Sequence, residues 1–298
     1  MRLITTLEDL RQTRDGWSRQ GRTIGLLPTM GYLHAGHLSH ARTARAENDI
    51  VVASIFVNPT QFGPNEDLAR YPRDLPRDSA LLADAGVDAI FAPSADAMYP
   101  AGFATWVEPA GPLTERLEAA RRPGHFRGVA TVVTKLLLLV APTRAYFGQK
   151  DAQQVAVVRR LIADLNLPVE LRVGPTIREP DGLAMSSRNV YLTGDARSAA
   201  TALYRALTAG RAAFDAAPSS ADAVREAMRS VIAAEPLATL DYADVCNPTT
   251  CAPLDAPWAP ALLAVAARVG STRLIDNFLL RADGSWDTGQ FSGARHTE

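Results

Sequence analysis

The stretch PTMGYLHAGH, residues 28–37, decides the fold. An apolar run, TIGLL (23–27), precedes it, and a segment with helical spacing, His37–Glu47, follows, so the stretch is a strand-to-helix junction. Pro28 is expected to end the strand. Gly31 and Gly36 are expected to release the backbone for a tight turn, with the helix beginning near Gly36. The chain has five histidines, and three of them, His34, His37 and His40, sit here. A helix start gathers unpaired N–H groups and the positive end of the helix dipole, so His34 and His37 at such a start predict a phosphate receptor. Two other readings stay open from the residues alone. The three histidines are also a zinc-ligand pattern, though with no acid or thiol close by to complete it. They are equally compatible with a purely structural junction.

Outward from this junction the first 175 residues alternate two periods. Apolar strand-like runs fall at Thr23–Leu27, Ile50–Val57, Val87–Ala92, Ala145–Phe147 and Val169–Val173. Helical periods fall between them at Arg77–Ala85, Val129–Val140 and Ala152–Leu165. Strands alternating with helices predict an α/β fold: a doubly wound, Rossmann-like parallel sheet with its ligand at the carboxyl ends of the strands. After residue 175 the character changes. Two alanine-rich helices are expected at Asp195–Ala216 and Ser220–Glu235, then strands at Leu240–Cys246, Leu262–Val269 and Arg273–Leu280. The division expected is 1–175 for the nucleotide-binding domain and 176–283 for a smaller α+β lid domain. The Gly-rich polar tail, 284–298, is expected to be disordered.

The bulk numbers exclude several classes. With 298 residues, 47% apolar, 21% charged and a net charge of −1, the chain reads as an ordinary globular protein with no general field for nucleic acid. The longest apolar run, VVTKLLLLVA, carries Lys135 and falls well short of the ~20 residues of a membrane span. The N-terminus lacks the apolar core of a signal peptide, and Cys246 and Cys251 do not make a disulfide framework, so a cytoplasmic location is expected. There is no P-loop sequence and no G-x-G-x-x-G. Of 31 basic side chains only Lys135 and Lys150 are lysines, which draws attention to any place where a compact ammonium is required.

Four further stretches carry candidate chemistry. FVNPTQF ends the second strand and brings Asn58 and Gln61, whose neutral amides can read hydroxyl and carboxylate groups. FGQKDAQQ joins Gly148, Gln149, Lys150 and Asp151 to a helix start that holds Gln153 and Gln154. GLAMSSRN offers Ser186, Ser187 and Arg188 as a phosphate clamp. RRPGHFRGV gathers Arg121, Arg122, His125 and Arg127, a local basic cluster suited to an anion or simply a solvated loop.

In this order and spacing, PTMGYLHAGH, FVNPTQF, YPRD, RPGHFRGVATVVTKL, FGQKDAQQ and GLAMSSRNVYL resemble the pantoate–β-alanine ligase family over about residues 1–280. HAGH is similar to the HIGH-type signature shared with class I aminoacyl-tRNA synthetases, and MSSR to their KMSKS loop. The resemblance implies an ATP-dependent condensation of pantoate with β-alanine through pantoyl adenylate, releasing pyrophosphate and AMP. It implies ATP as a substrate that brings Mg²⁺, no organic cofactor, no nucleic-acid or membrane partner, and a homodimer. Carried over by position, Met30, Gly31, Tyr32, Leu33, His34, Ala35, Gly36 and His37 line the ATP site, with His37 as proton donor and His34 and Lys150 as the other catalytic groups. Gly148, Gln149, Lys150, Asp151, Ile177, Met185, Ser186, Ser187 and Arg188 also bind ATP. Gln61 and Gln154 hold pantoate, Gln61 also reaches β-alanine, and Asn58, Tyr71 and Arg122 match further pocket positions. His40 lies outside the motif and is assigned a structural part. Some members carry adjacent acids after YPR that hold magnesium; here the pair reads Arg77-Asp78, so no metal ligand is expected in this chain. The nearest rival is an adenylyltransferase of the same superfamily acting on another acceptor.

Overall fold

The computed structural model describes residues 1–64, 66–256 and 259–292. The described chain divides into two compact units. The first comprises residues 1–114, 118–148 and 157–174; the second comprises 115–117, 149–156 and everything from Pro175 on.

The first unit is built on a six-stranded, wholly parallel sheet. In chain order its elements are β1 (Arg2–Ile4), α1 (Leu7–Arg19), β2 (Ile24–Thr29), α2 (Ala35–Glu47), β3 (Ile50–Ile55), α3 (Leu75–Asp84), β4 (Ala89–Phe91), α4 (Ala95–Met98), α5 (Glu118–Arg121), α6 (His125–Val140), β5 (Arg144–Gly148), the part of α7 (Ala152–Asp164) from residue 157 on, and β6 (Glu170–Gly174). The strand order is β1-β4-β3-β2-β5-β6. Successive strands run outward from β2 to one side and then to the other, so the order reverses between β2 and β5. In open α/β sheets that reversal is where ligands bind. Leu27, Val51, Ala53 and Ile90 face α2 and α3 and form one core with Leu33, Ala41, Ala44 and Leu82. By alternation Leu26 and Val52 face the other side, which explains strands that are apolar at nearly every position.

Pro28 does not end β2. The strand continues to Thr29, with Pro28 in register with Ser54 of β3. It is tolerated because on its other side the ladder to β5 covers only Gly25 and Leu26. The short β1, together with α1, escaped the periodicity: three residues with Leu3 half exposed carry no period. No described helix is long and apolar enough to cross a membrane; the Lys135 run is α6, most of it buried.

The second unit carries a short parallel pair, β7 (Ile177–Arg178) with β12 (Gln290–Phe291), and an antiparallel sheet. That sheet has the order β11-β10-β9-β8, with β8 (Ala238–Cys246), β9 (Ala261–Val269), β10 (Thr272–Leu280) and β11 (Trp286–Asp287). Helices α8 (Asp195–Ala199), α9 (Ala202–Ala216) and α10 (Ala221–Ala233) complete it. Leu203, Ala206 and Leu207 of α9 and Val224, Met228 and Ile232 of α10 form one core with Leu263 and Val265 of β9. The single helix expected over Asp195–Ala216 is broken at Ala200–Thr201. There the Thr201 hydroxyl donates to the Ser198 carbonyl, and Thr201 N and Leu203 N make tighter bonds three residues back. The tail expected to be structureless from residue 284 instead supplies β11 and β12, because β12 pairs in parallel with β7. Its last part, 293–298, lies outside the described residues.

One close approach in the first unit has a direct consequence. A Cβ on Gly128 of α6 would stand 2.3 Å from the carbonyl oxygen of Thr60, in the 3₁₀ turn Pro59–Gln61 that follows β3. Neither backbone can yield cheaply. Gly128→Ala is expected to destabilise the protein by about 1–3 kcal/mol, read as a lowered urea midpoint with the slope unchanged.

Candidate active site

The junction after β2 is shaped by two successive left-handed residues, Gly31 (φ +85°) and Tyr32 (φ +50°). Such a turn costs a non-glycine residue energy and persists only when its surroundings hold it. The holder is Asp78, fully buried in the first turn of α3. Its carboxylate accepts the backbone N–H of Tyr32 at 2.6 Å and of Leu33 at 2.8 Å. Arg77 donates to the same carboxylate at 3.2 Å and to the Leu33 carbonyl at 2.9 Å. Burial raises the Asp78 carboxyl above the usual range; the N–H groups of Leu33 and Tyr32, then Arg77, pull in the other direction. A carboxylate so occupied and so buried does not fit as a magnesium ligand, which needs several oxygens in octahedral array.

Beyond the turn, α2 begins at Ala35, and its two histidines cap it reciprocally. The N–H of Gly36 donates to His34 Nδ1 at 3.2 Å, and the N–H of His34 donates to His37 Nδ1 at 3.3 Å. Both Nδ1 atoms are therefore acceptors, so in the neutral rings both hydrogens sit on Nε2. The rings lie 4.0 Å apart between centroids. The result is a helix N-terminus with two imidazole N–H donors on one turn, an arrangement that meets negatively charged oxygens. This engagement of both Nδ1 atoms argues against the zinc reading, and no group of three potential ligands forms among the described residues. His40 sits one turn on, buried, over Gly148 and Gly174 at the ends of β5 and β6; a Cβ on Gly174 would come within 2.3 Å of its ring.

At the end of β3, Asn58 and Gln61 are both buried. Asn58 Nδ2 donates to Gln61 Oε1 at 3.0 Å, and Gln61 Nε2 lies 3.2 Å from the Met30 sulfur. Met30, Asn58 and Gln61 thus form one connected set. Tyr71 is buried edge-on against Phe62. In the basic cluster at RRPGHFRGV, Arg121 and Arg127 are exposed, whereas Arg122 and His125 are engaged inside the unit. Arg122 forms a two-pronged pair with Glu66, at 2.9 and 2.6 Å, and also donates to the Gln61 carbonyl. Burial pushes the Glu66 carboxyl up, but the Arg122 pairing outweighs it and leaves the group below its usual range. His125 is buried, with Nδ1 at 2.8 Å from the Gln61 carbonyl and Nε2 at 3.1 Å from Arg122. A carbonyl can only accept and a guanidinium can only donate, so His125 carries its hydrogen on Nδ1 and is neutral. Burial, then the Arg122 charge, lower its pKa to about 4.

The second unit holds the remaining candidates. The 3₁₀ turn Gln149–Asp151 is anchored by Asn277 of β10, which donates to the Gln149 carbonyl at 3.0 Å and the Lys150 carbonyl at 2.8 Å, and meets the Gln149 side chain at 3.2 Å. Lys150 is partly buried, and its ammonium stands 3.9 Å from Asp151. Of the paired glutamines, Gln153 is buried and donates to the Arg116 carbonyl, while Gln154 is only partly covered. Ile177 accepts the N–H of Met185 at its carbonyl, and the Ser186 hydroxyl caps the 3₁₀ turn Ser187–Tyr191 through the N–H of Arg188. Arg178, fully buried, pairs with Asp276 at 2.6 and 2.9 Å and also donates to the Gly182 carbonyl. The expected phosphate clamp is thus tied to a buried ion pair at its root.

Comparison with known proteins agrees with the motifs. The family model described as pantoate-beta-alanine ligase matches residues 2–279. The chain belongs to the pantoate–β-alanine ligase family. It is 59% identical to a pantothenate synthetase of Roseiflexus sp. (strain RS-1) over 282 residues, 95% of this chain and all of the relative. Its structure resembles the pantothenate synthetase of Thermus thermophilus with a TM-score of 0.88, at 53% identity over 93% of this chain and 98% of that one. A pantoate-beta-alanine ligase from Francisella tularensis, solved in complex with beta-gamma ATP and beta-alanine, has a TM-score of 0.79 at 37% identity, over 94% of this chain and 97% of that one. As a member of this ligase family the chain is an enzyme that joins pantoate to β-alanine with ATP as a substrate.

Sequence reading missed Asp78 as a loop anchor, Glu66 as the partner of Arg122, and Asn277. Each lies dozens of residues from what it holds, so no local pattern could mark it. The spacing of two loop amides around one buried carboxylate makes a testable statement. Asp78→Asn puts an N–H₂ where a second acceptor is needed and leaves one loop N–H unpaired, at about 1–3 kcal/mol of stability. Ligase activity is expected to fall with it, while calorimetry still shows a single cooperative transition. His125 gives a pH statement. Its folded pKa, about 4, lies below the unfolded value of 6.5. The stability it contributes is therefore complete above pH 6.5 and is lost as pH falls toward 4. Between pH 7 and 5 the loss from this group should be about 2 kcal/mol. His125→Asn, which keeps a donor for the Gln61 carbonyl, should flatten the acid side of the urea-denaturation profile by that amount relative to the parent.

Proposed function

We propose that this chain makes pantothenate in two half-reactions, with the residues of the motifs in the following parts. The pantoate carboxylate attacks the α-phosphorus of MgATP, forming the acyl–phosphate bond as the bond to pyrophosphate breaks. The amine of β-alanine then attacks the acyl carbon, and AMP leaves with the bonding electrons as the amine gives up its proton. No covalent enzyme intermediate is needed. Alignment and charge neutralisation carry the reaction.

The observation that carries this reading is the reciprocal histidine cap at the start of α2. It fixes two Nε2–H donors on a helix N-terminus that directly follows the central strand of a doubly wound sheet. His34 and His37 are assigned to the ATP phosphates, with His37 as the donor to the departing pyrophosphate, and Met30–Leu33, Ala35 and Gly36 to the ATP-facing backbone. Lys150, with Gly148, Gln149, Asp151, Ile177, Met185, Ser186, Ser187 and Arg188, is assigned to ATP. Gln61 and Gln154 are assigned to pantoate. Asn58 supports Gln61, and Tyr71 and Arg122 belong to the same surroundings. Neutral amides suit a nucleophilic carboxylate, since a guanidinium fork would bind the same lone pairs that must attack. Magnesium enters with ATP as part of the substrate. Operation as a homodimer in the cytoplasm belongs to the same proposal.

Two measurements test it. Pantoate labelled with ¹⁸O in its carboxylate should pass one label into AMP; unlabelled AMP, or ADP as product, would exclude the adenylate. His37→Ala should fold normally and lose about 10²–10³ in kcat for adenylation, the cost of one transition-state donor.

A further inference from the structure

An amide side chain can be turned through 180° about its last bond, exchanging a donor for an acceptor at nearly the same place. A site that reads its substrate through a glutamine must therefore fix which end faces the ligand. In the first unit Gln61 has such a fixing chain. Asn58 is 1% exposed and all its polar capacity is engaged. Its Nδ2 donates to the carbonyl of Gly128 at 3.2 Å, and a carbonyl can only accept. Its Oδ1 accepts from the Tyr99 hydroxyl at 2.9 Å and the Thr60 hydroxyl at 2.9 Å, and faces the Thr60 N–H at 3.4 Å. Both ends agree, so the Asn58 amide has one orientation. Its second N–H then points at Gln61, at 3.0 Å, and requires an oxygen there. Gln61 must place Oε1 toward Asn58 and keep Nε2 on the side of Met30, whose thioether at 3.2 Å is only a weak acceptor.

The outermost member of this chain is Tyr99, which comes just after α4. Its ring is held on several sides: Phe103 edge-on at 5.0 Å, Trp106 stacked at 6.3 Å, and the Lys135 ammonium 5.6 Å from its centroid. Lys135 also lies 4.8 Å over Phe103, so one of the two lysines of the chain belongs to this aromatic cluster. A ring so placed has little freedom to withdraw its hydroxyl from Asn58.

We propose that Tyr99 is a positioning residue that acts through Asn58 to make Gln61 present an N–H donor, and so selects a substrate oxygen that can accept. The proposal rests on the reading that Gln61 holds pantoate. It assigns Tyr99 no contact with substrate. It accounts for a partly buried tyrosine hydroxyl directed at an asparagine whose other partners are already sufficient for a turn.

The test is a double-mutant cycle of Tyr99→Phe and Gln61→Leu, with KM measured separately for pantoate, ATP and β-alanine, and melting followed for each variant. Phenylalanine keeps the ring contacts, so Tyr99→Phe should fold. It should raise KM for pantoate roughly tenfold, the effect of one lost hydrogen bond, and leave KM for ATP within about twofold. Added to Gln61→Leu it should cost little more, because the amide it orients is gone. Asn58→Asp, which cannot donate to Gln61 Oε1, gives a second route and should raise KM for pantoate at least as much as Tyr99→Phe. A Tyr99→Phe effect equal in both backgrounds, one that moves the KM values alike, or no effect at all would overturn the proposal and leave Gln61 untouched. A Gln61→Leu variant with unchanged KM for pantoate would instead remove the reading on which the proposal stands.

Discussion

The carboxylate of Asp78 sets the geometry of the segment that leads from β2 into α2. Its two hydrogen bonds to the N–H groups of Tyr32 and Leu33 hold the left-handed turn at Gly31–Tyr32. That turn takes the chain from the end of β2 to the start of α2. The histidine caps that follow are local to residues 34–37, so the Asp78 anchor sets where they stand and not whether they form. The anchor is strong because it is buried and ionic: a charge-assisted bond to a backbone N–H is roughly twice a neutral one. It also has a cost, visible in a carboxyl that burial drives upward. Strain in the turn and desolvation of the acid are offset together, which places the energetic expense of the fold at the segment assigned to its chemistry.

Charge within the first unit is handled by internal pairing. Arg122, the centre of an apparently basic stretch, is matched by Glu66, and His125 beside it stays neutral because a carbonyl and a guanidinium occupy its two nitrogens. The polar groups around Gln61 are thereby locked in orientation with little free charge. In the proposed function, affinity for the ATP phosphates rests on oriented N–H groups at a helix start, which need no net charge. That agrees with a chain whose formal charge is −1.

The second unit uses a different device. Arg178 and Asp276 form a fully buried, two-pronged ion pair, with the Arg178 guanidinium also 4.9 Å from the Tyr204 ring and 5.3 Å from that of Phe278. A buried pair of this kind is weak evidence for stability, since desolvation takes back much of the attraction, but losing one partner would leave an uncompensated charge. Asp276 and Asn277 are neighbours on β10; one fixes the root of the segment that carries Ser186–Arg188, the other fixes the carbonyls of Gln149 and Lys150.

The sequence by itself determined the class of fold, because strands buried on both faces must be apolar throughout and the helices between them must repeat at 3.6 residues. It also carried the resemblance to the family, because each of the six motifs is contiguous in the chain and their order is kept over residues 2–279. Local patterns could not reach what distant residues contribute. Nothing around Asp78 announces that its carboxylate serves amides 45 and 46 residues earlier. Nothing in RRPGHFRGV shows that Glu66 neutralises Arg122. Pro28 looks like a strand end until the ladder reveals that its nitrogen faces no partner on β5. The tail after residue 283 looks structureless until β12 finds β7. In each case the deciding term is a hydrogen bond or ion pair between residues far apart in sequence, whose value depends on burial, and burial exists only once the chain has folded.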